Sequence, residues 1–314
     1  MADSTLSLVW DVTRLRLLVE IGRRGSMSAA ARAVGIGQPT ASEHVRTLEG
    51  AAGQRLVERN RRGSSLTEAG EVLAVHASQA LQVLATGEEE LARLAGLEGG
   101  TVRLGASTTP GVYLLPDTLG CFRRDHPNVS VEVEIASTGE IRARLLSGRI
   151  QLALVGELEA DERIVVERFV GDEIVGVARP GLLRLREGRV RGKELEAQTL
   201  LVREDGSSTR RVSERALGAA GIWPARTWEL DSTEAIKRAV REGLGVAFLS
   251  RFAVAEEVER GELEPFRISA KPIERELVVA RLARRPLSPG EKRFVETLTR
   301  CCAKSEAYAD ACVA

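Results

Sequence analysis

The chain has 314 residues, enough for two or three cores, and its 45 basic and 45 acidic side chains leave no net charge, which excludes a coat that is cationic throughout. Its hydrophobic fraction of 43% is that of a globular protein in water. There is no run of about 18 apolar residues and no basic-then-apolar leader, so a cytoplasmic protein is expected. The charge is unevenly spread, however. In residues 1–66 ten arginines stand against six acids, and such a local cationic surface on a neutral chain points to a polyanion.

Three helical patterns open the chain. Residues 12–22 carry Leu15, Leu18 and Val19 at helical spacing. "GSMSAAARAVGI" predicts a short helix over 29–34, with Ser28 as its cap and Gly35 at its end. "GQPTASEHVRTLE" then starts a third helix, because Pro39 costs nothing in a first turn. Ala41, Val45 and Leu48 mark its inward face; the remaining positions are mostly short or hydrogen-bonding. Two short helices joined by a glycine turn form a helix-turn-helix, whose second helix offers donors and acceptors to base edges in the major groove. "RNRRG" follows as a wing whose cations neutralise phosphates.

"SMSAAARAVGIGQPTASEHVRTLE" and "RLVERNRRGSSLTEAG", in that order, resemble the winged helix-turn-helix of the LysR-type transcriptional regulators from about Leu15 through Gly70. The chain departs from the usual pattern at Gly37, where a capping serine is common, and also at Thr40, Glu43 and Val57. The resemblance implies that Gln38, Pro39, Thr40, Ser42, His44 and Arg46 contact DNA from the reading helix. It also implies backbone contacts from Ser28 and Arg32 on the preceding helix, and from Arg59, Arg61 and Arg62 on the wing.

From residue 67 to about 94 the pattern is one long helix capped by Thr67. Leu73, Ala77, Ala80, Leu84, Gly87, Leu91 and Leu94 form a heptad seam, read as a dimerisation arm; packing of that stripe within its own domain is the other reading. A homodimer would present two reading helices to double-stranded DNA at a pseudo-palindromic operator. Family analogy extends this to a homotetramer.

"GLEGG" is a hinge, and beyond it strands alternate with helices. "TVRLGAS", "VSVEVEIAS" and "IQLALVGE" are strands of one βαβαβ unit. "EIVGVARP", "TLLVRED", "TWELD" and "GVAFLS" belong to a second, and "ERELVVARLA" returns to the first before a last helix after Pro289. The expected organisation is an all-α winged helix-turn-helix domain over 1–66, a linker helix over 67–95, a hinge over 96–100 and an α/β effector domain over 101–300. Lobe I would comprise about 101–165 and 266–300, lobe II about 166–265, with a tail over 301–314. Two α/β lobes joined by two crossings resemble the family's effector domain, itself similar to periplasmic binding proteins.

Four strand-to-helix turns, "ASTTPG", "ASTGE", "EDGSSTRR" and "LDSTEA", are rich in hydroxyls. In a parallel sheet they gather at the carboxyl edge, where helix N-termini and hydroxyls bind anions. Ser107, Thr108, Thr109, Thr138, Gly139, Ser207, Ser208, Thr209, Ser232 and Thr233 are the candidates, with Arg203 supplying charge. Helix capping alone is the competing reading of each cluster. The wording of "REDGSSTR" and "ASTTPGVYLLP" resembles family members that govern sulfur, nitrogen or carbon assimilation, which implies a small anionic effector, either a sulfur oxyanion or a phosphorylated metabolite. A constitutive DNA-binding regulator with a vestigial cleft is the alternative.

An enzyme is not expected. Of three histidines only His126 lies in the α/β part, and no nucleophile elbow, P-loop, dinucleotide fingerprint or metal-ligand spacing occurs, so neither a cofactor nor a metal is expected. Cys121 stands apart while Cys301, Cys302 and Cys312 crowd the tail, without the spacing of a zinc site or a disulfide framework. Reduced thiols in a loosely held terminus are the expectation, with a redox device among the tail cysteines as the other reading.

Overall fold

The computed structural model describes residues 9–60, 63–94, 99–283 and 285–313. The chain divides into two compact units, Met1–Leu97 with Leu146–Arg149, and Glu98–Leu145 with Ile150–Ala314. In the first unit, α1 (Val12–Arg24) is capped by Asp11, whose carboxylate accepts from the Arg14 backbone N–H at 2.9 Å. α2 (Met27–Val34) begins two residues before the expected start, and Ser26 rather than Ser28 is its cap. Ser26 has the extended backbone that a cap requires, whereas Ser28 already lies within the first turn. α3 (Gln38–Ala52) starts at Gly37 with no side-chain cap and with Pro39 in its first turn. Ala41, Val45 and Leu48 face inward against Leu17, Leu18 and Ile21, all buried. Each such leucine contributes about 1.5–3 kcal/mol by leaving water.

The wing is an antiparallel pair, β1 (Val57–Asn60) and β2 (Gly63–Leu66), with Val57 opposite Leu66. Glu49 on α3 holds it in place by accepting from the backbone N–H groups of Leu56 and Val57 at 3.0 and 3.3 Å. Glu49→Ala leaves two amides short of a partner and costs about 1–3 kcal/mol. Faster amide hydrogen exchange at Leu56 and Val57 in the full-length variant is the expected result; unchanged exchange would show that the wing is held by other contacts.

α4 (Glu68–Leu94) follows, with the Thr67 hydroxyl accepting from the Gly70 N–H at 3.1 Å and donating to the Arg55 carbonyl at 2.8 Å. Leu73 packs against the core of the first unit and Ala77 is buried, whereas Leu84 and Leu91 further along the seam are 54% and 67% exposed. Of the expected hinge at 96–100, residues 96–98 lie outside the described residues.

The second unit is built on a mixed sheet. Its first three strands are β3 (Gly100–Ala106), β4 (Val129–Ile135) and β5 (Leu152–Val155), and β3 pairs in parallel with both others. β7 (Thr199–Val202), β8 (Arg226–Glu229) and β9 (Val246–Ser250) form the matching parallel triplet of lobe II. Two long strands, β6 (Ile164–Ala178) and β11 (Ile273–Leu282), run antiparallel to each other and carry the chain across between the triplets. Their register slips at Leu277/Val278, opposite Val170 and Arg168, so that Phe169 is the extra residue at the crossing. The expected strand "EIVGVARP" is thus only the end of one continuous 15-residue strand. Glu167 and Arg168 face solvent there and interrupt the apolar rhythm that would have announced its start. β10 (Glu264–Phe266) adds to β6.

The helices cover both faces. α5 (Leu115–Asp125) follows a short π-helix over Pro110–Leu114, and α6 (Thr138–Leu146) follows β4. Lobe II holds α7 (Gly192–Glu196), α8 (Ser208–Ala219) and α9 (Thr233–Arg241), and α10 (Arg251–Glu259) leads out of β9. α11 (Pro289–Val313) closes the chain. The expectation of a loosely held terminus from residue 301 is corrected here: α11 runs on through it, and Cys302 is buried among Val102, Phe122, Phe294 and Leu298. β5 is buried along its whole length, as a strand covered on both faces must be.

Candidate functional site

Two regions bring candidate residues together. On the first unit, the inward packing of Ala41, Val45 and Leu48 leaves Gln38, Pro39, Thr40 and Arg46 exposed on α3, with Arg32 exposed on α2. Ser28, Ser42 and His44 are half-buried. The Nδ1 atom of His44 accepts from Nε of Arg14 at 3.1 Å, so α1 holds the imidazole and leaves its other nitrogen to carry the proton as a donor. The side chain of Arg59, and Arg61 and Arg62 entirely, lie outside the described residues.

The second region is a small polar cleft in the second unit. Ser107, Thr108 and Thr109 enter it from the carboxyl end of β3, Thr138 from the start of α6, and Arg203, Ser207, Ser208 and Thr209 from the turn between β7 and α8. The topology places these turns side by side because β3, β4 and β7 all end at the same edge of their parallel triplets. Three candidates do not line the cleft. Ser232 is a helix cap, accepting from the Ala235 N–H at 3.3 Å. Thr233 lies behind Arg203, accepting from its Nη1 at 2.7 Å. Gly139 donates its backbone N–H to the Gly206 carbonyl at 3.3 Å.

Three residues absent from the expected set complete the wall: Ser137, Glu204 and Arg275. Ser137 and Glu140 form a capping box at α6, which engages the Ser137 hydroxyl and, through the Ser137 N–H and hydroxyl, holds the Glu140 carboxyl below the usual carboxylate range. Arg275 comes from β11, where it is in phase with the half-buried Ile273 and the buried Leu277. A lone arginine on the apolar phase of a strand was the signal in the sequence that could have found it.

Two guanidinium groups organise the cleft, and both are neutralised locally. Arg203 donates to both oxygens of Glu204, at 2.7 and 2.9 Å. Arg275 pairs with Asp172 at 2.7 Å, their side chains 2% and 0% exposed. Burial pushes the Asp172 carboxyl upward, while Arg275 and the Ser250 hydroxyl, 2.8 Å away, pull against it. The remaining N–H groups go to hydroxyls: Arg203 to Thr108 at 3.0 Å, Arg275 to Thr109 at 3.0 Å and to Thr209 at 2.9 Å. A guanidinium has donors only, so each hydroxyl that accepts from one must direct its own hydrogen elsewhere. The result is a set of O–H donors turned away from the arginines, beside the N-terminus of α8, which has no side-chain cap. Such a wall suits a ligand made of acceptors.

A second connection joins the lobes beside the cleft. The Tyr113 hydroxyl donates to Glu234 at 2.7 Å, and Glu234 also meets Lys237 at 2.8 Å. Burial, first, and then Glu234 push the Tyr113 hydroxyl up, so it stays a donor. Among the described residues no group of histidine, cysteine and carboxylate side chains could hold a metal ion, and no helix is long and apolar enough to cross a membrane.

Comparison with known proteins bears on both regions. Residues 12–71 match the model of the bacterial regulatory helix-turn-helix proteins of the lysR family, and residues 95–303 that of the LysR substrate binding domain. A protein of Porphyra purpurea described as a probable RuBisCO transcriptional regulator is 32% identical over 278 residues, covering 87% of this chain and 88% of that one. A full-length OxyR variant from Pseudomonas aeruginosa has the same fold over 93% of this chain and 94% of its own, with a TM-score of 0.75 at 23% identity. The regulatory domain of Synechocystis PCC6803 CcmR, solved in complex with 2-PG, is 29% identical with a TM-score of 0.59, over 64% of this chain and 96% of that one. The chain belongs to the LysR family: it is a DNA-binding transcriptional regulator with an effector-binding domain, and not an enzyme.

Proposed function

We propose that this regulator senses a small phosphorylated metabolite in the cleft between its lobes and adjusts transcription for carbon assimilation. The observation that carries this reading is the set of threonine hydroxyls, Thr108, Thr109 and Thr209, whose oxygens are engaged by the neutralised Arg203 and Arg275, leaving donors for an acceptor-only ligand. The 2-PG held by the CcmR domain favours a phosphorylated ligand over a sulfur oxyanion, and the relatives described as RuBisCO regulators favour carbon assimilation. Ser107, Thr108, Thr109, Thr138, Ser207, Ser208 and Thr209 are the proposed contacts. Arg203 acts on the hydroxyls rather than as a free charge.

The protein works in the cytoplasm as a homodimer through α4, whose exposed Leu84 and Leu91 await a second helix, and as a tetramer by family analogy. Gln38, Pro39, Thr40, Ser42, His44 and Arg46 read base edges; Ser28, Arg32, Arg59, Arg61 and Arg62 hold phosphates. A bound ligand biases the closure of the lobes and, through it, the spacing of paired reading heads on DNA.

Thermal unfolding in the presence of sulfite, sulfate, inorganic phosphate, 2-phosphoglycolate and 3-phosphoglycerate tests this. A ligand at 100 times its Kd stabilises the folded state by about 2.7 kcal/mol. A saturable rise with a phosphorylated compound is expected, and Thr209→Val should weaken it roughly tenfold or more through loss of a hydrogen bond to a charged group. A rise with a sulfur oxyanion alone would replace the ligand class. No rise with any of them would favour a constitutive regulator whose hydroxyl clusters are helix caps.

A further inference from the structure

Along the chain Cys301 belongs with the other tail cysteines, but the fold places it next to Cys121. α5 and α11 pack against each other through Phe122 and Phe294, whose ring centroids are 5.3 Å apart in an edge-on contact. One turn along α5 from Cys121, Asp125 pairs at 2.5 Å with Arg300, the neighbour of Cys301. Between these two contacts Cys301 lies beside Cys121; burial, first, and then Cys121 push the Cys301 thiol up. Both thiols are half-buried, unlike Cys302, which is in the core. Nη2 of Arg124 donates to the Cys121 sulfur at 3.3 Å. Neither thiol belongs to the cleft or to the DNA-reading face.

We propose that Cys121 and Cys301 form an oxidisable dithiol on lobe I that takes small hydroperoxides and closes to a disulfide stapling α5 to α11. The Cys121 thiolate attacks the terminal oxygen of the hydroperoxide; the O–O bond breaks, a sulfur–oxygen bond forms, and the alkoxide or hydroxide that leaves takes up the proton lost by Cys121. The Cys301 thiolate then attacks the sulfenic sulfur, the S–O bond breaks, and the departing hydroxide takes the Cys301 proton as water. Two thiols lose two electrons and the hydroperoxide gains them. A dithiol reductant reverses the reaction by exchange. The cross-link joins α5, which continues from the π-helix beside Thr109 and Tyr113, to the helix that ends the chain. Oxidation therefore stiffens the lobe that presents one wall of the cleft.

Full-length protein treated with one equivalent of hydrogen peroxide should lose two of its four thiols, and peptide mapping without reduction should recover Cys121 joined to Cys301. The melting temperature should rise on oxidation and return with dithiothreitol. Cys302→Ser and Cys312→Ser should keep both responses, whereas Cys121→Ser and Cys301→Ser should lose them. In Cys301→Ser a sulfenic acid should be trapped by dimedone at Cys121. A disulfide between any other pair, or oxidation of Cys121 that proceeds to sulfinic acid in the unsubstituted protein without disulfide formation, would overturn the proposal. Cys121→Ser and Cys301→Ser differ from the parent by one atom in a half-buried side chain, and the unoxidised melting temperature of every variant provides its folding control.

Discussion

Arg275→Met should be the most damaging single change in the second unit, destabilising it by about 3–5 kcal/mol, because it leaves the fully buried Asp172 carboxylate without its counter-charge. Ser250 would remain as a donor, and Arg251, which is committed to the Gly171 carbonyl at 2.8 Å, would act only from a distance. Adding Asp172→Asn should recover much of the loss, since removing both members of a buried pair costs far less than removing one. The sign with pH is also determined. Burial without the guanidinium raises the folded carboxyl pKa above its unfolded value of about 3.9, so the folded state binds more protons. The deficit relative to the parent protein should therefore be smaller at acidic pH and grow as pH rises through the folded pKa. Urea unfolding followed by tryptophan fluorescence reports on this lobe, because Trp223 and Trp228 lie in it and only Trp10 lies elsewhere. Equal deficits at pH 5 and pH 8 would show that the loss comes from packing rather than from the orphaned charge. The same variant frees the Thr109 and Thr209 hydroxyls to rotate, so any ligand response should weaken along with stability.

The second large effect is expected at the wing. Gly63 has a φ of 146°, and a Cβ there would stand 2.3 Å from the Gly25 carbonyl oxygen. That same oxygen accepts from the Ser64 N–H at 2.9 Å, which pins β2 to the end of α1. Gly63→Ala therefore introduces strain of order 1–3 kcal/mol and also pushes the strand off its anchor. DNA affinity should fall at least tenfold, and the slope of log affinity against log salt should become shallower, because fewer phosphates are neutralised once the wing is displaced. Fluorescence anisotropy at several salt concentrations separates this from general unfolding, which would abolish binding at every salt. Unchanged affinity and slope would show that the wing contributes nothing to DNA binding.

Both predictions turn on contacts between residues far apart in the chain, which the sequence does not display. Features with local causes are legible in it. The inward face of α3 follows from the spacing of Ala41, Val45 and Leu48. The end of α2 at Gly35 follows from a left-handed φ of 78° that a Cβ would resist. The order of strands and helices follows from alternating periodicities, and the hydroxyl-rich turns at strand ends are visible as composition. Ser28 passes for a cap because two serines flank Met27 and composition alone does not say which backbone is extended.

What depended on the tertiary fold was partnership. Arg275 faces the cleft only because β11 crosses beside β6, which brings Asp172 from 103 positions away to neutralise it. Ser232 and Ser207 look alike in sequence, yet one is consumed as a cap and the other lines the cleft, a difference set by which turns the sheet gathers at one edge. Cys121 and Cys301 are neighbours because α11 returns to lobe I after the chain has built lobe II. A residue's neighbours along the chain decide its backbone, and so its element; which charges and thiols face one another is decided by the packing of elements. The sequence by itself determined the family and the order of most helices and strands. Only the tertiary structure decided which polar groups satisfy one another and which are left for a ligand.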